Sequence, residues 1–430
     1  MSMRPVAAAV LAAVLTAALA LSSLAAAPAQ AAPPAGKGAG AVEAPPTLRA
    51  SAILPKSMLT APNCRVDETV RNDGYLNTYT LHTPQGDLKV LSTALLGQRL
   101  QECAAIVAMD KVEPAGQFGD AVKEKGKNTV KGAVNLVTRP LATVGSALSG
   151  VGKMFQRAEE SLVESKASKY EDNPAAAALG YSRSKRDIAK HFGVDPYSTN
   201  PFVKERLDRL AGADFAGSLL ATGASAAVPG AVGVGVSVAG TSKWLTDMDV
   251  ALPPADLRRM NRGKLAAMGV PADLAEAFID NTDLSPVHQT LLVNALAAMS
   301  RTANREAFIA FCLSTDSEDL ALFRERMALM FASYDSRKEH LVRFERVGRF
   351  VAGRTQSGRL VLCFPLDMLV WTQSTANLVQ RLQDSLPGRN AAKAEFWIGG
   401  GITPLAAKSL AALGIEAHPD AAAFLLGMAR

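Results

Sequence analysis

The end of the chain constrains the fold most. Ala394 to Ile398 reads as a short strand, and Gly399-Gly400-Gly401 is a loop. Thr403 and Pro404 then supply a cap and a first helical position, Pro404 to Leu413 is a helix closed by Gly414, and Ile415 to Ala417 returns to strand. This β-α-β order implies a small α/β domain. Just upstream, Phe350 to Ala352 and Arg359 to Phe364 read as strands about the turn Thr355-Gln356-Ser357-Gly358, Met368 to Thr372 is extended, and Thr375 to Leu386 is helical. A glycine-rich loop before a helix can hold an anion on its backbone N–H groups, so Gly399, Gly400, Gly401 and Thr403 are candidate anion-binding residues, with a plain tight turn as the alternative. The run matches neither G-x-G-x-x-G nor the lysine-bearing phosphate loop.

Leu252 to Tyr334 reads as helical bundle. Leu257 to Met268 is one helix ended by Gly269, Pro271 opens the next, and Ser285-Pro286 caps the helix carrying Leu291, Leu292, Leu296 and Met299. Thr315 with Glu318 makes a capping box for the helix of Leu320, Phe323, Met327 and Met330. His288 lies in a first helical turn, where an exposed histidine is commonplace, and no ligand partner is evident for it. Nearer the start, Tyr75, Asn77, Tyr79 and Leu81 alternate with period two before the turn Thr83-Pro84-Gln85-Gly86, and Leu88 to Leu91 resumes the strand. Ser92 then opens a helix with apolar positions at Leu96, Leu100, Cys103 and Val107. Hydrophobic residues make up 48% of the chain and aromatic ones only 6%, which predicts a packed core built from closely approaching helices. The expected class is α+β and predominantly helical: a small N-terminal β-hairpin/helix unit, a central helical bundle and a small C-terminal α/β domain.

Residues 1–31 have the three parts of a secretory signal peptide: Arg4 in a short basic region, an uncharged apolar run from Val6 to about Ala20, and Ala29-Gln30-Ala31 as a cleavage pattern. An uncleaved anchor is the competing reading. Residues 32–48 are an Ala/Pro/Gly linker, and folding is expected from near Arg49. The remaining divisions expected are 49–170, holding the hairpin and a long amphipathic helix, 171–340, helical, and 341–430, α/β. Export makes disulfides natural, and of the four cysteines the expected pairs are Cys64 with Cys103 and Cys312 with Cys363, buried free thiols being the alternative for Cys103 and Cys312.

Residues 118–163 are the most unusual stretch. Val134, Val137, Leu141, Val144, Leu148, Val151 and Phe155 form a narrow apolar stripe at helical spacing. Its other face is Thr, Ser, Gly and Asn, and Lys123, Lys125, Lys127 and Lys131 crowd its start. The pattern resembles the amphipathic, Gly- and Thr-rich helices of lipid-transfer and lipid-droplet proteins, and such a segment suits contact with an anionic lipid or cell-envelope surface. A long helix kinked at Pro140 and packed on its own protein is the alternative. A second uncharged stretch, 215–240, is split by Pro229-Gly230 into two arms whose length suits a buried hairpin, a hairpin dipping into a bilayer being the alternative.

No metal-ligand spacing, hydrolase elbow or cofactor motif is present, so neither metal nor cofactor is expected. The formal net charge of +6 is too weak a bias to point to nucleic acid. The sequence therefore predicts an exported envelope protein of non-enzymatic binding or structural type that touches membrane through 118–163. The alternative is an exported hydrolase whose pocket lies near the C-terminal α/β domain, marked by Asp367, Thr403 and a convergent His or Arg.

Overall fold

In a computed structural model, residues 41–112, 181–212, 252–386 and 394–427 are described. Short extended runs broken by Asn, Pro and Gly make the first sheet: β1 (Thr47–Arg49), then α1 (Ala50–Ile53), β2 (Thr60–Ala61), β3 (Cys64–Val66), β4 (Thr69–Asn72), β5 (Asn77–Thr83) and β6 (Gly86–Leu91). The expected hairpin is its spine, β5 and β6 pairing from Thr78 with Leu91 to Thr83 with Gly86. β4 and then β3 run along the other edge of β5, and β1 and β2 extend the sheet to six strands. Alternation along β5 turns Tyr79 and Leu81 inward. They meet Leu96 and Leu100 of α2 (Thr93–Val112), with α3 (Tyr181–Phe192) and α4 (Pro201–Gly212) completing this first core.

A second, larger core joins a first group of five helices, and three later ones, to a second sheet. The first group is α5 (Pro254–Ala267), α6 (Ala272–Ile279), α7 (Pro286–Ala298), α8 (Glu306–Cys312) and α9 (Glu318–Arg337). The chain continues as β7 (Leu341–Val347), β8 (Phe350–Thr355), β9 (Leu360–Phe364), β10 (Met368–Leu369), α10 (Gln373–Asp384), β11 (Ala394–Ile398), β12 (Gly401–Ile402), α11 (Pro404–Ala412), β13 (Ile415–His418) and α12 (Ala421–Leu426). The sheet order is β13-β11-β9-β8-β7; β7 to β9 form an antiparallel meander, whereas β9, β11 and β13 are parallel. Every residue of β9 and β11 is buried, as parallel strands covered on both faces require. α9 and α12 cover one face, where Tyr334 and Phe424 meet Trp397. Val379 and Leu382 of α10 lie near Phe364 and Phe396 on the other.

The expectation of a predominantly helical chain is overturned. Three sheets share the molecule with the helices, so the class is mixed α/β. β1 to β4 have two to four residues each, too few to display a period of two. β7 reads as polar because Arg343, Glu345 and Arg346 stand on it, Glu345 being held by Arg343 at 2.7 Å and by Arg354 at 2.6 Å.

Local corrections follow the same physics. Ser317, not Thr315, caps α9, accepting from Leu320 N; Thr315 Oγ1 instead donates to the Cys312 carbonyl and is bonded by Arg324. The ordered chain begins before Arg49, since Glu43 N donates to the Trp371 carbonyl at 3.0 Å and Trp371 N to the Glu43 carboxylate at 2.8 Å. The Cys64–Cys103 disulfide forms and ties β3 to α2. Cys312 and Cys363 are free, buried thiols, contrary to the expected pair: each sits inside the large core, where burial pushes the Cys312 thiol up to about 12. No helix among the described residues is long and apolar enough to cross a membrane. The leader, the membrane-contact residues from Lys123 to Phe155 and the 215–240 segment lie outside the described residues.

Candidate functional site

Parallel strands bring their carboxyl ends to one edge of a sheet, the usual place for ligands in α/β proteins. Here the segments following β9, β11 and β13 line a cavity of about 310 Å³, and Met58, Asn77 and Thr93 of the first unit close it from outside.

The glycine loop builds its floor. Gly399 N donates to the Phe364 carbonyl, Gly400 N to Leu366 and Gly401 N to Asp367, at 2.7, 2.7 and 3.0 Å. With these N–H groups bonded to carbonyls, the loop is a backbone clasp and not the anion cradle considered from sequence. The approach is so close that a Cβ on Gly400 would overlap the Asp367 carbonyl, which is why glycine stands there. Thr403 does not line the cavity: it caps α11 by accepting from Ala406 N, and its hydroxyl bonds Glu43.

Asp367 is the cavity's buried carboxylate. Its Oδ2 accepts from Asn77 N at 2.8 Å and Thr93 N at 3.1 Å, and its Oδ1 also accepts from Thr93 N at 3.1 Å. A loop of the second unit thereby caps the start of α2 in the first. Burial raises the Asp367 carboxyl to about 6, against the pull of those hydrogen bonds and of Arg326. Arg326, from the middle of α9, is the cavity's cation, and burial lowers its pKa while Glu325 and Asp367 favour its charge. The convergent arginine was not singled out from sequence. Its signal is Arg324-Glu325-Arg326, three successive charges in the middle of a helix and flanked there by apolar residues; all three are buried.

A buried polar seam joins the two units beside the cavity. Arg99 of α2 donates to both Glu102 oxygens at 3.0 Å and to Glu318 at 2.9 Å, and Asn200 bonds Glu102 at 2.7 Å. His288 belongs here and is buried, correcting its reading as an exposed, partnerless side chain. Its Nδ1 bonds Glu325 Oε2 at 2.5 Å. Burial opposes its charge, but the hydrogen bond and charge of Glu325, with Asp195, raise it to about 9.

Fold and cavity define the class: a mixed α/β protein with a partly open cavity at the carboxyl ends of three parallel strands. No family model, curated protein or solved structure matches the chain.

Proposed function

We propose that this is an exported binding protein for a small polar molecule, taken up in the cavity between Asp367 and Arg326. The observation that carries the reading is the cavity itself, of a size suited to a small ligand, with one buried carboxylate and one buried guanidinium among apolar walls of Met58, Leu366 and Leu426. The opposed charges suit a molecule with a donor group at one end and an acidic group at the other, of amino-acid or dipeptide size. The Cys64–Cys103 disulfide supports export into an oxidising compartment. The basic amphipathic pattern at 118–163 supports a position against an anionic envelope surface. A hydrolytic reading is favoured by one observation, the carboxyl of Asp367 at about 6, where a general acid or base works best near neutral pH.

The test is calorimetric titration of the mature protein with a panel of free amino acids and dipeptides. At least one should bind, and Ala423→Phe, which fills the cavity from α12, should abolish the heat while the protein stays folded. Binding that survives Ala423→Phe, or no binding by any member, rejects the reading.

A further inference from the structure

On the α9 and α12 face of the second sheet, parallel register sets Glu395 of β11 beside Glu416 of β13, and Trp397 beside His418. That register brings two carboxylates and an imidazole together on one face of the sheet. Among the described residues, Glu395, Glu416 and His418 are the one group of three His, Cys, Asp or Glu side chains with ligand atoms close enough to share a metal ion, all within 4.8 Å of one another. From this arrangement we propose a divalent metal site of the zinc class formed by Glu395 Oε2, Glu416 Oε1 and His418 Nε2.

Three independent features carry it. First, His418 Nε2 lies 3.4 Å from Glu416 Oε1 and 3.7 Å from Glu395 Oε2, too far for good hydrogen bonds. Tetrahedral zinc with N and O ligands at roughly 2.0–2.2 Å separates those ligands by about 3.3–3.6 Å, which these spacings approximate. His82 shows the contrast: its ring nitrogens sit 2.7 and 3.1 Å from Asp87 and Asp67, as an ordinary hydrogen-bonded histidine between two carboxylates.

Second, His418 Nε2 is shut off from solvent and has no hydrogen-bond partner.

Third, an outer shell is already built around the two carboxylates. Arg359 pairs with Glu395 through Oε1 and faces Glu416 Oε2 at 3.4 Å, leaving Glu395 Oε2 and Glu416 Oε1 turned toward the histidine. Trp397 Nε1 donates to Glu395 Oε2 at 2.9 Å, and its ring stacks on His418 with centroids 4.3 Å apart. Such partners orient ligating groups. The half-exposed Glu416 leaves the outer side open for water or a further ligand.

The experiment is titration of EDTA-stripped mature protein with Zn²⁺ and, separately, with Co²⁺, following Trp397 through quenching of tryptophan fluorescence. Zinc should bind one-to-one from micromolar solution, and Co²⁺ should quench. Arg359→Gln should weaken zinc by roughly 10–100-fold as loss of an outer partner does. His418→Gln and Glu416→Gln, both at partly exposed positions that spare the buried Glu395, should weaken it more, while His82→Gln leaves it unchanged. No uptake from micromolar zinc, or uptake unaffected by His418→Gln, overturns the proposal. Because the cavity lies at the strand ends, amino-acid binding to metal-free protein tests the function above separately.

Discussion

His288 shows how a single buried side chain couples stability to pH. In an unfolded chain its imidazole titrates near 6.5, and in the fold, held by Glu325 Oε2, near 9. The folded state therefore holds the extra proton between those values, so its contribution is complete below about 6.5 and is lost as pH rises through about 9. Denaturant unfolding of the wild type should show stability falling by about 3 kcal/mol across that window, the size expected for a shift of this order. His288→Gln should flatten that fall while lowering stability at pH 6. An equal pH slope in the variant would mean that the histidine is not the titrating group. Gly400 makes a different point at the same scale: its amide bonds the Leu366 carbonyl in the clasp, and its lack of a side chain is what lets the loop come that close.

Among the elements, β3 and α2 are joined most firmly, by the disulfide between Cys64 and Cys103 at a sequence separation of 39. The loop-entropy relation puts the stabilisation from closing a loop of that length at about 4 kcal/mol, with native strain free to reduce it. Cys64→Ser/Cys103→Ser should lower the unfolding free energy by roughly 2–4 kcal/mol in chemical denaturation. Alkylation mapped by mass spectrometry should find Cys312 and Cys363 unreactive in the native protein and both labelled after unfolding, because each is a buried protonated thiol. Rapid native labelling of either would contradict their place in the core. α9 is the other decisive element: it carries apolar residues into the large core and also presents Arg326 to the cavity, Glu325 to His288 and Glu318 to Arg99.

For the whole molecule, two cores meet across a seam of charge, with Leu322 of α9 reaching into the first core and Tyr75 and Leu76 into the second. Each buried ion there needs its partner, since removing one member of a buried pair typically costs about 3–5 kcal/mol by stranding the other. The seam thus fixes how the N-terminal sheet closes over the strand ends, and Asp367 bonded to Asn77 and Thr93 locks the same closure beside the cavity. The proposed placement of the molecule at an envelope surface rests on the 118–163 sequence pattern. Leu148→Asp should reduce sedimentation with anionic liposomes at any salt concentration, because the apolar stripe supplies most of the attachment. Replacing Lys123, Lys125, Lys127 and Lys131 with Gln should reduce it mainly at low salt. If Leu148→Asp unfolds the protein without a separable binding defect, the stripe belongs to a core.

What the sequence by itself determined is local and periodic. The hairpin about Thr83 to Gly86, the caps at Ser285 and Thr403, and the strand Ala394–Ile398 with its following helix all stand where residue chemistry put them. Each is decided by hydrogen bonds or burial within a few residues of its own signal. The short strands β1 to β4 had no such signal, for two to four residues gain strand character only from their neighbours in the sheet. Cys312 and Cys363 were misjudged because nearness of two thiols is a matter of packing and not of order along the chain. Asp367 was legible beside a strand end, but Arg326 was not, since a charge inside a helix acquires meaning only when a carboxylate from another segment faces it. Glu395, Glu416 and His418 met for the same reason: parallel register, a tertiary fact, set one strand's carboxylate beside the other's carboxylate and imidazole.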